Sequence, residues 1–340
     1  MSTPSTASHE LAAEIAAIAI AADSLTARAQ ALLEPLHRLM PFDAAWISLL
    51  DPERHRQPPL IRHGYDARVQ QYLDGAQYMD DLEQFGMHGS HTPMRIKDLP
   101  APPCEIAGWA TYFLPAGFGE GVSVPLTTPD GRYLGLFAAT TETRTAPSDD
   151  VRDQLARLAP LIAHAVDPMR ALTALAALVT AATAGVVLTR GGNTATLTGL
   201  PEHPLLRCGS AVVAEAIACL QKGDQLAEFL TGREGPEGYL KVTVLGCPQP
   251  PAAYLRAVVL LAPPGDLHGL THRDLCILGM LIAGWPHQRI AATQQVALHT
   301  LITTIDEIRA KLGAPTRDAA VIRAADQGLH LPPPATCTNL

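Results

Sequence analysis

Residues 270–325 read LTHRDLCILGMLIAGWPHQRIAATQQVALHTLITTIDEIRAKLGAPTRDAAVIRAA. Leu275, Leu278, Leu281 and Ile282 recur at helical spacing. Thr271 precedes them as an N-cap, and Gly284 ends the run as a C-terminal glycine does. Pro286 is expected to open the next helix at its first position, where its missing N–H costs nothing, and that helix runs to about Thr293. Val296 and Ala297 make a short turn. From 298 to 312 the apolar positions Leu301, Ile305, Ile308 and Leu312 share one face. Gly313 and Pro315 stop that helix, and Thr316 caps a last one with Ala320, Val321 and Ala324 inward. The pattern predicts four helices over 266–330, the second and third joined tightly as a helix-turn-helix.

The spaced residues Leu270-Thr271-His272-Arg273-Asp274, Gly284, Ile290-Ala291, Thr300-Leu301, Lys311-Leu312-Gly313 and Arg317-Asp318-Ala319-Ala320 resemble the C-terminal DNA-binding domain of LuxR-type (LuxR/FixJ or GerE-type) regulators. The resemblance covers roughly a sixth of the chain. It implies a partner, double-stranded operator DNA, bound by a homodimer. It places base-facing roles on Ile302, Thr303 and Asp306, and phosphate-facing roles on Thr300 and Thr304, with His299, Arg289, Lys311 and Arg317 around them. The family's T-V-K-x-H segment is altered here to Thr300-Leu301-Ile302-Thr303-Thr304. Ile302 offers only apolar contact, for instance to a thymine methyl, and Asp306 repels phosphate while able to accept from cytosine. Residues 270–326 hold six basic and five acidic residues, a net of +1. Phosphate contact drives most affinity, so a single copy should bind weakly. Dimerisation, a ligand-induced state or RNA polymerase contacts would supply the rest. The alternative is a degenerate helix-turn-helix that serves sensing or protein contact without reading DNA.

The chain has 340 residues, 47% hydrophobic and 17% charged, with a net charge of −8. This is an ordered multidomain protein of α+β type. Its pI near 5.9 argues against a coat of nucleic acid or a seat on an anionic membrane. The cysteines at 104, 208, 219, 247, 276 and 337 form no C-x-x-C pair and suit a reducing cytoplasm. Residues 1–22 read as a tail or helix without a secretory signal. Residues 171–189 carry no charge, but their alanine and threonine make a poor membrane span. A helix entering a strand at Ala184-Gly185 is expected instead.

Within 23–168 the expected order is a helix over 24–40, a buried strand over 45–50 and a helix over 66–74. A long irregular stretch from about 75 to 110 follows, then a hairpin of 121–126 with 133–139 and a helix from Ser148 to about Ala165. The pieces Pro41-Phe42-Asp43, Gly64-Tyr65, Pro115-Ala116-Gly117-Phe118, Asp130-Gly131-Arg132 and Ala163-His164-Ala165-Val166-Asp167-Pro168 resemble the GAF-like sensor found ahead of LuxR-type domains in actinobacterial regulators. The resemblance implies an α/β sensor with a small-molecule pocket lined from 75–125, where Trp109, Tyr112, Phe113 and Phe118 could pack on a ligand. Residues 169–265 pattern as a small α+β unit of PAS type with a Pro263-Pro264-Gly265 hinge, and 331–340 as a tail.

No catalytic constellation is legible, and neither an enzyme nor a cofactor is expected. His9-Glu10 lacks a second metal-binding histidine. Gly117-Phe118-Gly119-Glu120-Gly121 lacks the spacing and lysine of a phosphate loop. His88 and His91 have no ligand partner at metal spacing, and Cys104 has no resolving cysteine. No receiver-type acidic pattern precedes the helical region, which favours a one-component sensor.

Overall fold

The computed structural model describes residues 6–232, 238–247 and 254–333. Cys337 and most of the expected tail lie outside them. The chain divides into two compact units, Met1–Pro168 with Gln249–Tyr254, and Met169–Pro248 with Leu255–Leu340. The segments read as PAS-like and helical, 169–265 and 266–330, therefore share one unit.

The first unit runs α1 (Thr6–Ile20), α2 (Leu25–Leu39), β1 (Ala44–Leu49), β2 (Pro59–His63), α3 (Ala67–Leu73), α4 (Ala76–Gln84), β3 (Met94–Arg95), β4 (Glu120–Thr127), β5 (Tyr133–Thr141) and α5 (Asp149–Val166). Its antiparallel sheet has the order β2-β1-β5-β4-β3. β1 is buried along its whole length because both faces of the sheet are covered. Ala45, Ile47 and Leu49 pack with α1, α2 and α5, while Ala44 and Trp46 pack with α3, α4 and the loops beyond them. α5 is fixed at both ends. Ser148 caps it by accepting from the Val151 N–H, and Arg95 holds Asp149 at 2.7 Å. At the other end Arg132 grips Asp167 at 2.8 Å, and Arg28 donates to the Ala165 carbonyl at 2.8 Å.

Two expectations are corrected here. The stretch 75–110 is not irregular throughout: α4 uses Tyr78, Met79 and Leu82 as a buried stripe, and β3 forms a short sheet edge. The sequence reading also passed over β2, whose Leu60 and Ile61 are its only buried residues.

The second unit runs α6 (Met169–Ala177), β6 (Ala184–Thr189), β7 (Thr194–Thr196), α7 (Ala211–Lys222), β8 (Leu226–Gly232), β9 (Tyr239–Gly246), β10 (Leu255–Ala262), α8 (His272–Ile282), α9 (His287–Thr293), α10 (Leu298–Lys311) and α11 (Arg317–Asp326). Its sheet order is β7-β6-β10-β9-β8, so each sheet, counted from its own first strand, runs 2-1-5-4-3. α7 covers one face through Val212, Val213 and Ala216, against Val186, Val242 and Val259. Among the described residues, no helix is long and apolar enough to cross a membrane. α5 and α6 are separate, interrupted at Asp167-Pro168, because proline disfavours helical backbone in the residue before it. Pro286 is likewise the N-cap of α9 rather than its first helical residue.

The helices join the sheet through the segment after α11. Leu230 of β8 donates to the His330 carbonyl at 2.8 Å, and the Leu331 N–H donates to the Leu275 carbonyl of α8 at 3.1 Å. Gly279 is required there, since a Cβ would lie 1.7 Å from the Leu331 oxygen. Leu230 and Tyr239 enter the same core as Leu275, Leu301 and Ile308. The His330 ring is half-buried with Nδ1 unpartnered, and this desolvation, aided by nearby Lys222, pushes its pKa down to about 4. The free imidazole titrates at 6.5, so between those values the unfolded chain holds a proton that the folded chain does not. Stability of this unit should therefore fall as pH drops from about 6.5 to about 4. The same slope, followed by chemical denaturation, should flatten in His330→Gln, and an unchanged slope in the variant would contradict the assignment.

Candidate functional site

The first unit holds a partly open cavity of about 80 Å³ on the α3/α4 face of its sheet. The floor is Gly121, Ser123 and Ala138, with Ser123 and Ala138 directly paired across β4 and β5. Small residues here leave room that larger ones would fill. Tyr65, Tyr72, Tyr78, Trp109 and Phe113 form the walls. Trp109 and Phe113 stack at 4.8 Å within one π-helical turn, closed by the Leu114 N–H on the Trp109 carbonyl. A π turn of this kind places two rings on one side of a short segment.

Two of the four aromatic residues expected to meet a ligand line this space, Trp109 and Phe113. The other two do not. Tyr112 lies outside, half-buried, stacked on Tyr72 at 4.5 Å with Arg68 also over its ring. Phe118 is buried behind the wall, edge-on to Tyr65 and Phe113. The sequence reading missed Tyr65, Tyr72, Tyr78 and Asp81. The last three sit on α3 and α4, and the stripe Tyr78, Met79, Leu82 is the signal that could have placed them.

Polar groups around the cavity are mostly committed. The Tyr72 hydroxyl donates to Asp81, and burial is the main cause raising the Tyr72 pKa well above its usual value. Gly108 lets the chain pass over this pair, because a Cβ there would lie 2.2 Å from the Tyr72 oxygen. Burial likewise raises Tyr78. Arg95 is only 3% exposed; its guanidinium is taken by Asp98, Asp149 and the Pro147 carbonyl.

The second candidate surface is the pair α9 and α10. Four residues, Gln294 to Ala297, join the helices, with Gln295 in the left-handed region at φ 53° and the Val296 N–H on the Ala291 carbonyl. Leu301, Ile305 and Ile308 face inward as the spacing predicts. His299 and Thr303 are exposed, while Thr300, Ile302, Thr304 and Asp306 are half-exposed. Thr303 and Thr304 donate their hydroxyls back to the His299 and Thr300 carbonyls, at 3.1 and 3.0 Å. What they present outward is then largely methyl.

The charges of this region are spent largely within it. Asp306 is held by Arg317 through two contacts at 2.8 and 2.6 Å, which keeps its carboxyl below the usual range. Lys311 reaches Asp274 at 2.6 Å. Asp274 is buried, and it also closes a capping box with Thr271 at the start of α8. Arg309 donates to the Ala314 carbonyl and Arg323 to the Leu312 carbonyl. Arg289 lies over the Trp285 ring at 3.6 Å. Of the six basic side chains in 270–326, Arg273 and Arg289 alone meet neither a carboxylate nor a carbonyl among the described residues. Of the nine residues expected at the DNA, Lys311 and Arg317 serve internal contacts of the helical region.

His88 is half-buried with Nε2 unpartnered, whereas His91 and Cys104 are exposed. Among the described residues no group of three or more His, Cys, Asp or Glu side chains could hold a metal.

The chain is similar in structure to a domain of a two-component sensor histidine kinase protein from Sinorhizobium meliloti, with 17% identity and a TM-score of 0.36, over 46% of this chain and 99% of that one. It is similar to the GAF domain of a phosphoenolpyruvate-protein phosphotransferase from Coxiella burnetii, with 14% identity and a TM-score of 0.36, over 50% of this chain and 99% of that one. A bacteriophytochrome from R. palustris is similar over 77% of this chain and 65% of its own, with 12% identity and a TM-score of 0.37. No family model matches the chain, and no curated protein matches it.

The Lys311–Asp274 contact separates a scaffold role from a DNA role. Lys311→Ala should lower stability by about 1–3 kcal/mol, because the buried carboxylate loses its charge-assisted partner. Any DNA affinity should change less than about threefold. A variant with unaltered stability and clearly weaker DNA binding would show that Lys311 works on phosphate instead.

Proposed function

We propose that the chain is a one-component transcription regulator, in which a GAF-like sensor over 23–168 controls a LuxR-type helix-turn-helix over 266–330. The observation that carries this reading is the α9–α10 pair. Its tight four-residue connection leaves the side of α10 bearing His299, Ile302, Thr303 and Asp306 uncovered to different degrees. A helix so presented fits the major groove. The resemblance in Leu270 to Asp274, Lys311 to Gly313 and Arg317 to Ala320 falls on residues with scaffold roles: Thr271 caps α8, Gly313 turns at φ 59°, and Asp274, Lys311 and Arg317 form its ion pairs.

The sensor half of the reading is supported by the strand order 2-1-5-4-3, with α1, α2 and α5 on one face and a partly open cavity on the other. A compound that binds the cavity better in one conformation than in another shifts the population toward it. The sheet of 184–262 is read as PAS-like on the same strand order. On this reading the protein acts as a homodimer on a paired site, with RNA polymerase as a further partner.

A second reading, a helix-turn-helix that no longer reads DNA, is favoured by one observation. Lys311 and Arg317, two of the cations expected at the DNA, are committed to Asp274 and Asp306. Mobility shift at low salt against the region upstream of the protein's own gene distinguishes the two. A shift at micromolar protein is expected; none, with or without cell extract, contradicts DNA binding. In the double variant Ile302→Lys with Thr304→His, a lost or altered operator preference supports native readout. A gain of binding from nothing supports the second reading.

A further inference from the structure

We propose that the cavity of the first unit takes a small organic cation, an ammonium group carried on a single ring or an alkyl body of that size; this rests on the sensor reading above. The charge pattern of the lining carries the inference. Its one carboxylate is Asp81 and its one cation is Arg95. Arg95 turns its guanidinium to Asp98, Asp149 and the Pro147 carbonyl. Asp81 receives only the neutral Tyr72 hydroxyl, with no basic group at ion-pair distance among the described residues. The cavity thus holds an uncompensated negative charge at its wall and offers nothing positive. An anionic ligand would be buried without a counter-charge, which is costly. A cation would complete the pair that Asp81 lacks.

The remaining walls suit the same ligand. Tyr65, Tyr72, Tyr78, Trp109 and Phe113 surround the space, and aromatic rings attract cations through their negative faces. The Ser123 hydroxyl, half-exposed on the floor, has no hydrogen-bond partner among the described residues and can accept a second N–H. Size sets an upper limit. A volume of about 80 Å³, at roughly 10–15 Å³ per water-sized group, holds about five to eight such groups, which is one ring with a short arm. Met87 and Met94 in the lining can adjust to the outline of the guest. The Tyr72–Asp81 pair is held beneath Gly108, so the carboxylate keeps a fixed orientation.

The test uses the full chain and three probes of one shape: benzylamine, benzyl alcohol and benzoate, at pH 7, read by calorimetry and thermal shift. Benzylamine is expected to bind about tenfold more tightly than benzyl alcohol, and benzoate not to bind. Asp81→Asn should bring benzylamine down to the level of benzyl alcohol while leaving the alcohol unchanged, which also reports that the variant is folded. Equal binding of amine and alcohol, or binding of benzoate, in the unaltered chain would overturn the cation assignment and leave the pocket standing. Amine preference that survives Asp81→Asn would overturn the role of Asp81. Binding of none of the three would remove the pocket reading and this inference with it.

Discussion

A single buried carboxylate, Asp274, organises the C-terminal helices and also decides what charge they present. It closes the N-terminus of α8 by accepting from the Thr271 N–H and takes the Lys311 ammonium from the end of α10. Burying that carboxylate without a partner would be expensive, so the lysine is held by the fold. The same logic recurs at the surface, where Asp306 engages Arg317. The result is a region of six cations with little positive potential to spare. Whatever α10 meets, it meets through His299, the methyls of Thr303 and Thr304, Ile302 and the uncommitted arginines more than through a basic stripe.

A second constraint is the join at the β8 edge. An exposed strand edge invites further pairing, and here Leu230 and the residues after α11 satisfy part of it. Because Leu331 also bonds into α8, the sheet and the four helices share one core. The Pro263-Pro264-Gly265 segment therefore connects parts of one body, and the orientation of α10 is tied to the sheet of 184–262 rather than to a free linker.

The helical region was the most legible part of the sequence. Its caps and stops, Thr271, Gly284, Gly313 and Thr316, act locally, and its apolar spacing is long enough to be unambiguous. The central strands β1, β4 and β5 were legible for the same reason, as runs of buried residues with turn signals between them. What escaped reading depends on tertiary context. β2 and β8 are edge strands with few buried residues, and α4 carries five polar residues that obscure a three-residue stripe. The cavity draws on 75–125 but also on Tyr65, Tyr72 and Ala138 outside it, and its polar contact, Asp81 with Tyr72, joins residues of two helices that the sequence did not pair. The exchange of Tyr112 for Tyr72 at the wall has the same origin: the two rings stack, and only the backbone decides which faces inward.

The central claim is that the cations of the helical region are consumed by its own scaffold. On the regulator reading proposed above, the salt dependence of DNA binding tests it most directly, because the slope of log affinity against log salt counts the phosphates engaged. With Arg273 and Arg289 the two cations that meet no carboxylate or carbonyl on each copy of the proposed dimer, the slope should be about −4 or shallower. A slope near −8 would mean that Lys311, Arg317 and their neighbours leave their internal partners for phosphate, and would contradict the account.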